Sequence, residues 1–199
     1  MTLPLSDLPA QNTERPHPDR RAPLVVIDLQ TDMFSGATQP PLHDADGLLA
    51  RAHAAIAWAR RDGRPIAFIR HDGPPDDALA PEAPGWPIWP ALGQAADEPT
   101  FSKNELDAFS NPAFAAWVAE QGAASVILLG AQTDYCVGAT TRAGLALGLA
   151  VTVVGDAHST WDSETEAAAA IIARHNAEFL DKGAAVITTA RLTQSQDRR

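Results

Sequence analysis

Cys136, Asp28 and Lys103 are the residues of this chain that could carry out covalent chemistry together. Cys136 is the single cysteine in 199 residues. A thiol becomes a nucleophile as its thiolate, so it needs a base to take its proton and a positive neighbour to hold the charge. Asp28, which interrupts the apolar run that starts at Pro23, can serve as the base, and Lys103 can favour both anions. Each residue also has an ordinary role. Free cysteines are commonly packed in cores, a strand-end aspartate bonds nearby backbone N–H groups, and most lysines are solvated. Only convergence of the three in space separates chemistry from packing.

That convergence depends on the elements that carry them. Pro23 with LVVID reads as a strand buried on both faces. Asp44 to Asp62 is helical in pattern, with Leu48, Leu49, Ala52, Ala55, Ile56 and Ala59 on one stripe and Gly63 placed to end it. Pro65–Arg70 is a second strand and Thr100–Lys103 a short third. Asn111-Pro112 opens a helix that runs through Gln121. Ser125–Leu129 is a strand, Val137–Leu147 a helix, and Ala150–Val154 another strand. Ser163-x-x-Glu166 has capping-box spacing at the head of an Ala-rich helix ending near Gly183, and Ala184–Thr188 is the last strand. This alternation predicts a Rossmann-like three-layer α/β/α sandwich around a mainly parallel six-stranded sheet.

In such folds ligands bind outside the carboxyl ends of the strands. Asp28, His71, Lys103, Cys136, Asp156 and His158 all stand at or just after predicted strand ends, so they are expected on one edge. Cys136 would open a helix, where the dipole and unpaired N–H groups favour thiolate. Asp156 and His158 read as structural residues holding the turn before the next helix. His71 is either a pocket residue or a hydrogen-bonded strand cap. The Pro-rich segment from His71 to Glu98 holds Trp86 and Trp89, and a loop of that length in a compact domain is usually functional. With Phe34 and Tyr135, these tryptophans are candidate substrate-contacting aromatics; local core packing is the alternative for each.

Residues 1–21 are polar, contain four prolines and read as an extended or mobile arm. Residues 22–190 form the folded domain, and 191–199 a loose tail. Net charge is −10, from 15 Lys+Arg against 25 Asp+Glu, which argues against nucleic acid or an anionic membrane as partner. No apolar run approaches the roughly 20 residues that span a bilayer. With no secretory signal pattern and one cysteine, the chain fits a reducing cytoplasm. The expected partner is a small-molecule substrate.

The stretches VVIDLQTDMF (Val25–Phe34), FSKNELDAF (Phe101–Phe109), LLGAQTDYCVGATTRAGLALG (Leu128–Gly148) and VVGDAHSTWD (Val153–Asp162) resemble, in order and spacing, the isochorismatase-like cysteine hydrolases, a family that includes nicotinamidases and streptothricin-hydrolase-like amidohydrolases. The resemblance covers roughly residues 22–190. It implies a triad of Asp28, Lys103 and Cys136, and a non-proline cis peptide at Ala131-Gln132 that aims the backbone N–H groups of Gln132 and Cys136 at one point as an oxyanion hole. The implied reaction is cleavage of a C–N bond in a small amide or cyclic amide through a Cys136 thioester, with Asp28 shuttling the proton and Lys103 stabilising charge. Two other readings stand beside it. One is the vinyl-ether hydrolysis that names the family, whose practitioners commonly lack the cysteine; the other is a non-catalytic or thiol-sensing protein. No cofactor is expected. Nor is a metal, because nicotinamidase-type relatives place an Asp-x-His and a further His after the second strand, where this chain has only His71-Asp72. The family also implies a homo-oligomer.

Overall fold

Leu24–Ile27 (β1) are buried on both faces and pair in parallel with Ile66–His71 (β2) on one side and Ser125–Ala131 (β4) on the other. The computed structural model describes Asp19 and residues 22–194, so the expected N-terminal arm lies outside the described residues apart from Asp19. Thr100–Lys103 (β3) pairs outside β2, Ala150–Ser159 (β5) outside β4, and Ala185–Ile187 (β6) outside β5. The order is β3-β2-β1-β4-β5-β6, with every pairing parallel. Near-continuous Val, Ile and Leu in the central strands suits a sheet covered on both faces.

The covering helices are Asp32–Ser35 (α1), Ala45–Arg61 (α2), Pro112–Glu120 (α3), Gly138–Ala146 (α4), Ala168–Asp181 (α5) and Thr189–Thr193 (α6). Leu48, Ala52, Ala55, Ile56 and Ala59 of α2 and Leu192 of α6 bury against Leu24 and Val26. Phe114 and Val118 of α3, Leu145 of α4 and Phe179 of α5 pack on the opposite face with Val25 and Ile27. The result is the three-layer sandwich.

Three local readings are corrected. Ser163 does not cap α5: its hydroxyl accepts from the N–H groups of Thr165 and Glu166 in a separate turn, and the helix starts at Ala168, whose N–H donates to Asp162 Oδ1 at 2.7 Å. A short polar side chain satisfied so locally has no need of the helix. Second, β5 continues beyond Val154 to Ser159, because pairing with β4 resumes after a register shift, with Gly130 opposite His158 and Ala131 opposite Ser159. Third, the expected loose tail starts too early. Arg191–Thr193 belong to α6, which Thr188 caps by accepting from Arg191 N and which buries Leu192.

From β1 the chain winds outward through β2 and β3 to one edge, then returns to the other side of β1 and winds out through β4, β5 and β6. The crevice between the carboxyl ends of β1 and β4 is the topological switch point, where doubly wound sheets bind ligands.

Candidate active site

At the switch point two strands meet backbone to backbone. Gly130 has φ 134°, and a Cβ there would lie 2.1 Å from the Ile27 carbonyl oxygen, so only glycine fits. One residue beyond Ile27, Asp28 takes the left-handed conformation at φ 49°, with its N–H donated to Ile69 O at 3.0 Å. One residue beyond Gly130 comes Ala131, and the Ala131-Gln132 peptide is cis. Thr133–Val137 then form a single π-helical turn that passes without a break into α4. Cys136 lies in that turn. On the other side, β2 and β3 run in register so that His71 sits opposite Lys103.

The three expected residues meet. Lys103 Nζ donates to Asp28 Oδ2 at 2.7 Å and to Cys136 Sγ at 3.3 Å, and lies 3.4 Å from His71 Nδ1. Asp28, Lys103 and Cys136 are all buried. The second carboxylate oxygen, Asp28 Oδ1, is buried with no hydrogen-bond partner among the described residues.

The charge state differs from the sequence expectation. Burial, and then the negative charge of Asp28, push the Cys136 thiol up to about 12, and Lys103 only partly opposes them. The helix-dipole argument fails here because Cys136 is not at a free helix start: the π-helical turn precedes α4, and Val137 N already donates to Gln132 O. At rest Cys136 is a thiol beside the Lys103 ammonium. Burial works to lower the Lys103 pKa, but Asp28 and Cys136 beside it together outweigh that and raise it above the ordinary lysine value. Asp28, His71 and Cys136 place ligand atoms within 4.8 Å of one another, a spacing that could hold a cation. Lys103 Nζ, within 3.4 Å of an atom of each, already supplies one.

A cavity of about 500 Å³ opens beside this cluster, with His71, Gln132 and Tyr135 on its wall. Phe34, Trp86 and Trp89 are not on that wall. Trp86 is held away by its neighbours: its indole N–H donates to Asp72 Oδ1 at 2.7 Å and the Arg70 guanidinium lies 3.5 Å over its ring. Phe34 and Trp89 stack on each other, with ring centroids 5.4 Å apart, and pack on the α2 side of the core.

Sequence reasoning missed Asp32, Gln39, Asp77 and Trp161, which do line the cavity. Asp32 Oδ1 accepts from Thr38 Oγ1 at 2.5 Å and its Oδ2 from Gln39 Nε2 at 3.0 Å, so this buried carboxylate is held by neutral donors. Trp161 anchors to Pro40 O at 2.6 Å; its place just past the end of β5 was the available signal. His158 does more than hold a turn. Its Nδ1 lies 2.8 Å from Thr133 Oγ1 and its Nε2 2.9 Å from Asn176 Oδ1, tying the turn that holds Cys136 to α5. Burial pushes its pKa down to about 4. Asp156 instead accepts from Thr189 N and Oγ1 at the head of α6.

The isochorismatase-domain family model matches residues 22–191. The chain belongs to the isochorismatase family. Within this hydrolase family, it is 33% identical over 139 residues to a streptothricin hydrolase of Streptomyces noursei, a match covering 70% of this chain and 50% of that protein. The chain spans about half the length of the streptothricin hydrolases it matches. Among solved structures, an isochorismatase of Pseudomonas putida KT2440 superposes with TM-score 0.80 at 29% identity, covering 87% of this chain and 90% of the other. A cysteine hydrolase of Pseudomonas syringae pv. phaseolicola 1448A gives TM-score 0.82 over 91% and 97% of the two chains; at 17% identity this is a likeness of fold. As in the sequence, no described helix of this family member is long and apolar enough to cross a membrane.

Proposed function

We propose that this isochorismatase-family hydrolase cleaves a C–N bond of a small amide through a thioester on Cys136. The observation that carries the reading is the Lys103 ammonium in hydrogen-bond contact with both Asp28 and Cys136, while the buried Asp28 Oδ1 has no hydrogen-bond partner among the described residues. With the thiol protonated at rest, nucleophile and base are activated together. Asp28 takes the S–H proton as sulfur attacks the carbonyl carbon, and the C=O electron pair moves onto oxygen. The backbone N–H groups of Gln132 and Cys136 hold that oxyanion, a contribution on the order of 10²–10³ in rate per donor. The oxyanion then collapses, the C–N bond breaks, and Asp28 gives its proton to the departing nitrogen. A water deprotonated by Asp28 attacks the thioester, and the acid leaves with the thiol restored. Vinyl-ether hydrolysis is the weaker reading, because it leaves Cys136 with no role.

The cavity wall narrows the substrate class. Its charged side chains are Asp32 and Asp77, with no lysine or arginine among the lining residues. An amide that carries an amine away from the scissile bond suits such a wall. The likeness to streptothricin hydrolases makes streptothricin the first compound to test. The purified protein is mixed with streptothricin and a panel of amine-bearing, neutral and acidic amides, quenched, and weighed intact for an acyl adduct. The expected result is an adduct that is absent in Cys136→Ala, no turnover in Asp28→Asn, and a preference for amine-bearing amides that Asp32→Asn weakens. Turnover that survives Cys136→Ala removes the thioester mechanism; turnover of isochorismate alone favours vinyl-ether hydrolysis.

A further inference from the structure

An ammonium has three N–H protons and no acceptor. The buried Lys103 has three acceptors around it: Asp28 Oδ2 at 2.7 Å, Cys136 Sγ at 3.3 Å and His71 Nδ1 at 3.4 Å. Asp28 and Cys136 belong to the reaction, whereas His71 so far has no role. A nitrogen that faces an ammonium at this distance must offer a lone pair, since a proton on Nδ1 would point N–H against N–H. The ring is therefore neutral with its one proton on Nε2. Burial and the Lys103 charge both act against protonation of the ring, outweighing Asp28, Asp72 and Asp77, which favour it.

The backbone that carries the ring is also fixed. The fully buried Gln30 clamps the His71 backbone, accepting from its N–H at 2.9 Å and donating to its carbonyl at 3.0 Å, and the same amide donates to Trp86 O at 2.8 Å. Nε2 has no protein partner among the described residues, and His71 lines the cavity. We infer that His71 is a positioning residue: it supplies the third acceptor that orients the Lys103 ammonium between Asp28 and Cys136, and is thereby locked as the Nε2–H tautomer with a fixed proton donor facing the cavity. Taken with the hydrolase reading above, this assigns specificity. The substrate must present a hydrogen-bond acceptor, such as a carbonyl or a ring nitrogen, to Nε2–H, and a substrate ammonium in that place is rejected.

The test uses the free enzyme and needs no turnover, so it fails or succeeds independently of the amidohydrolase reading. Nitrogen-15 NMR of histidine-labelled protein, with His71→Asn identifying one of the 6 histidines by difference, should show a protonated Nε2 and an unprotonated Nδ1 at pH 7.5. A protonated Nδ1, or an imidazolium at that pH, overturns the inference. A second arm measures iodoacetamide alkylation of Cys136 at pH 9. His71→Asn keeps an acceptor near the Nδ1 position and should react within about twofold of wild type; His71→Phe leaves the ammonium short of an acceptor and should react several-fold more slowly. Equal slowing in both folded variants would mean that His71 merely fills space, and would also overturn it.

Discussion

Alkylation of the lone cysteine tests how the centre stores its reactivity. The Cys136 thiol is pushed up to about 12, against an ordinary 9.0, by burial and by Asp28. At pH 8 that leaves about one molecule in 10⁴ as thiolate, where an ordinary thiol would have about one in ten, a thousandfold deficit worth roughly 4 kcal/mol. Because Cys136 is the single cysteine, iodoacetamide followed by intact mass reports on it alone. The expected rate rises about tenfold per pH unit from 7 to 10, with no plateau. Asp28→Asn removes the negative neighbour but leaves Lys103, so the thiol pKa should fall. That variant is expected to alkylate faster than wild type at pH 8 while losing turnover. A wild-type plateau below about pH 8.5 would refute the reasoning, because it would reveal a preformed thiolate–ammonium pair. Slower alkylation of Asp28→Asn would refute it equally, since the carboxylate would then be aiding ionisation.

Other outcomes follow from the same geometry. His158 has a folded-state pKa of about 4 against 6.5, so the unfolded chain takes up the proton first. Its stabilising contribution is complete above about pH 6.5 and is lost as pH falls toward 4, by about 3 kcal/mol in all; urea titrations should show the gap between wild type and His158→Gln closing over that window. Gly130→Ala forces a Cβ against the Ile27 carbonyl at positive φ, and should cost at least about 2 kcal/mol in thermal or urea unfolding. Lys103→Met leaves Asp28 buried without its cation. It should lose activity and about 3–5 kcal/mol of stability at pH 8, and part of the stability should return at low pH as the carboxyl protonates.

The strands were legible because continuous Val, Ile and Leu with short turns leave few alternatives, and helix ends were legible where Asn111-Pro112 or Gly63 stood. Asp28, Lys103 and Cys136 could be brought to one edge by the strand-end rule alone. What the sequence could not supply was anything decided by distant backbone approaching backbone. Residues 85–89 lie along 29–32, with Trp89 N bonded to Leu29 O and Thr31 N to Pro87 O. That contact draws Trp86 onto Arg70 and Asp72, and leaves Asp32, Gln39 and Trp161 to form the wall. The ionisation of Cys136 was hidden for a related reason. Motif and helix position point to thiolate, but burial and the charge of Asp28 act against it and win.

The contact between Gly130 and Ile27 has a consequence for how such a protein can be altered. The two strands that lead to Asp28 and to Cys136 touch through main-chain atoms, where a side chain has no room and substitution offers no graded adjustment. Most of the cavity wall is drawn from residues 32–39, 77–79 and 161, outside the sheet, and His71 at the end of β2 completes it with Gln132 and Tyr135. On the proposed function, the wall that selects the molecule is thus largely separate from the reacting groups, with His71 bridging the two. Grafting or randomising those loops should exchange one accepted compound for another without disturbing the groups that break the bond.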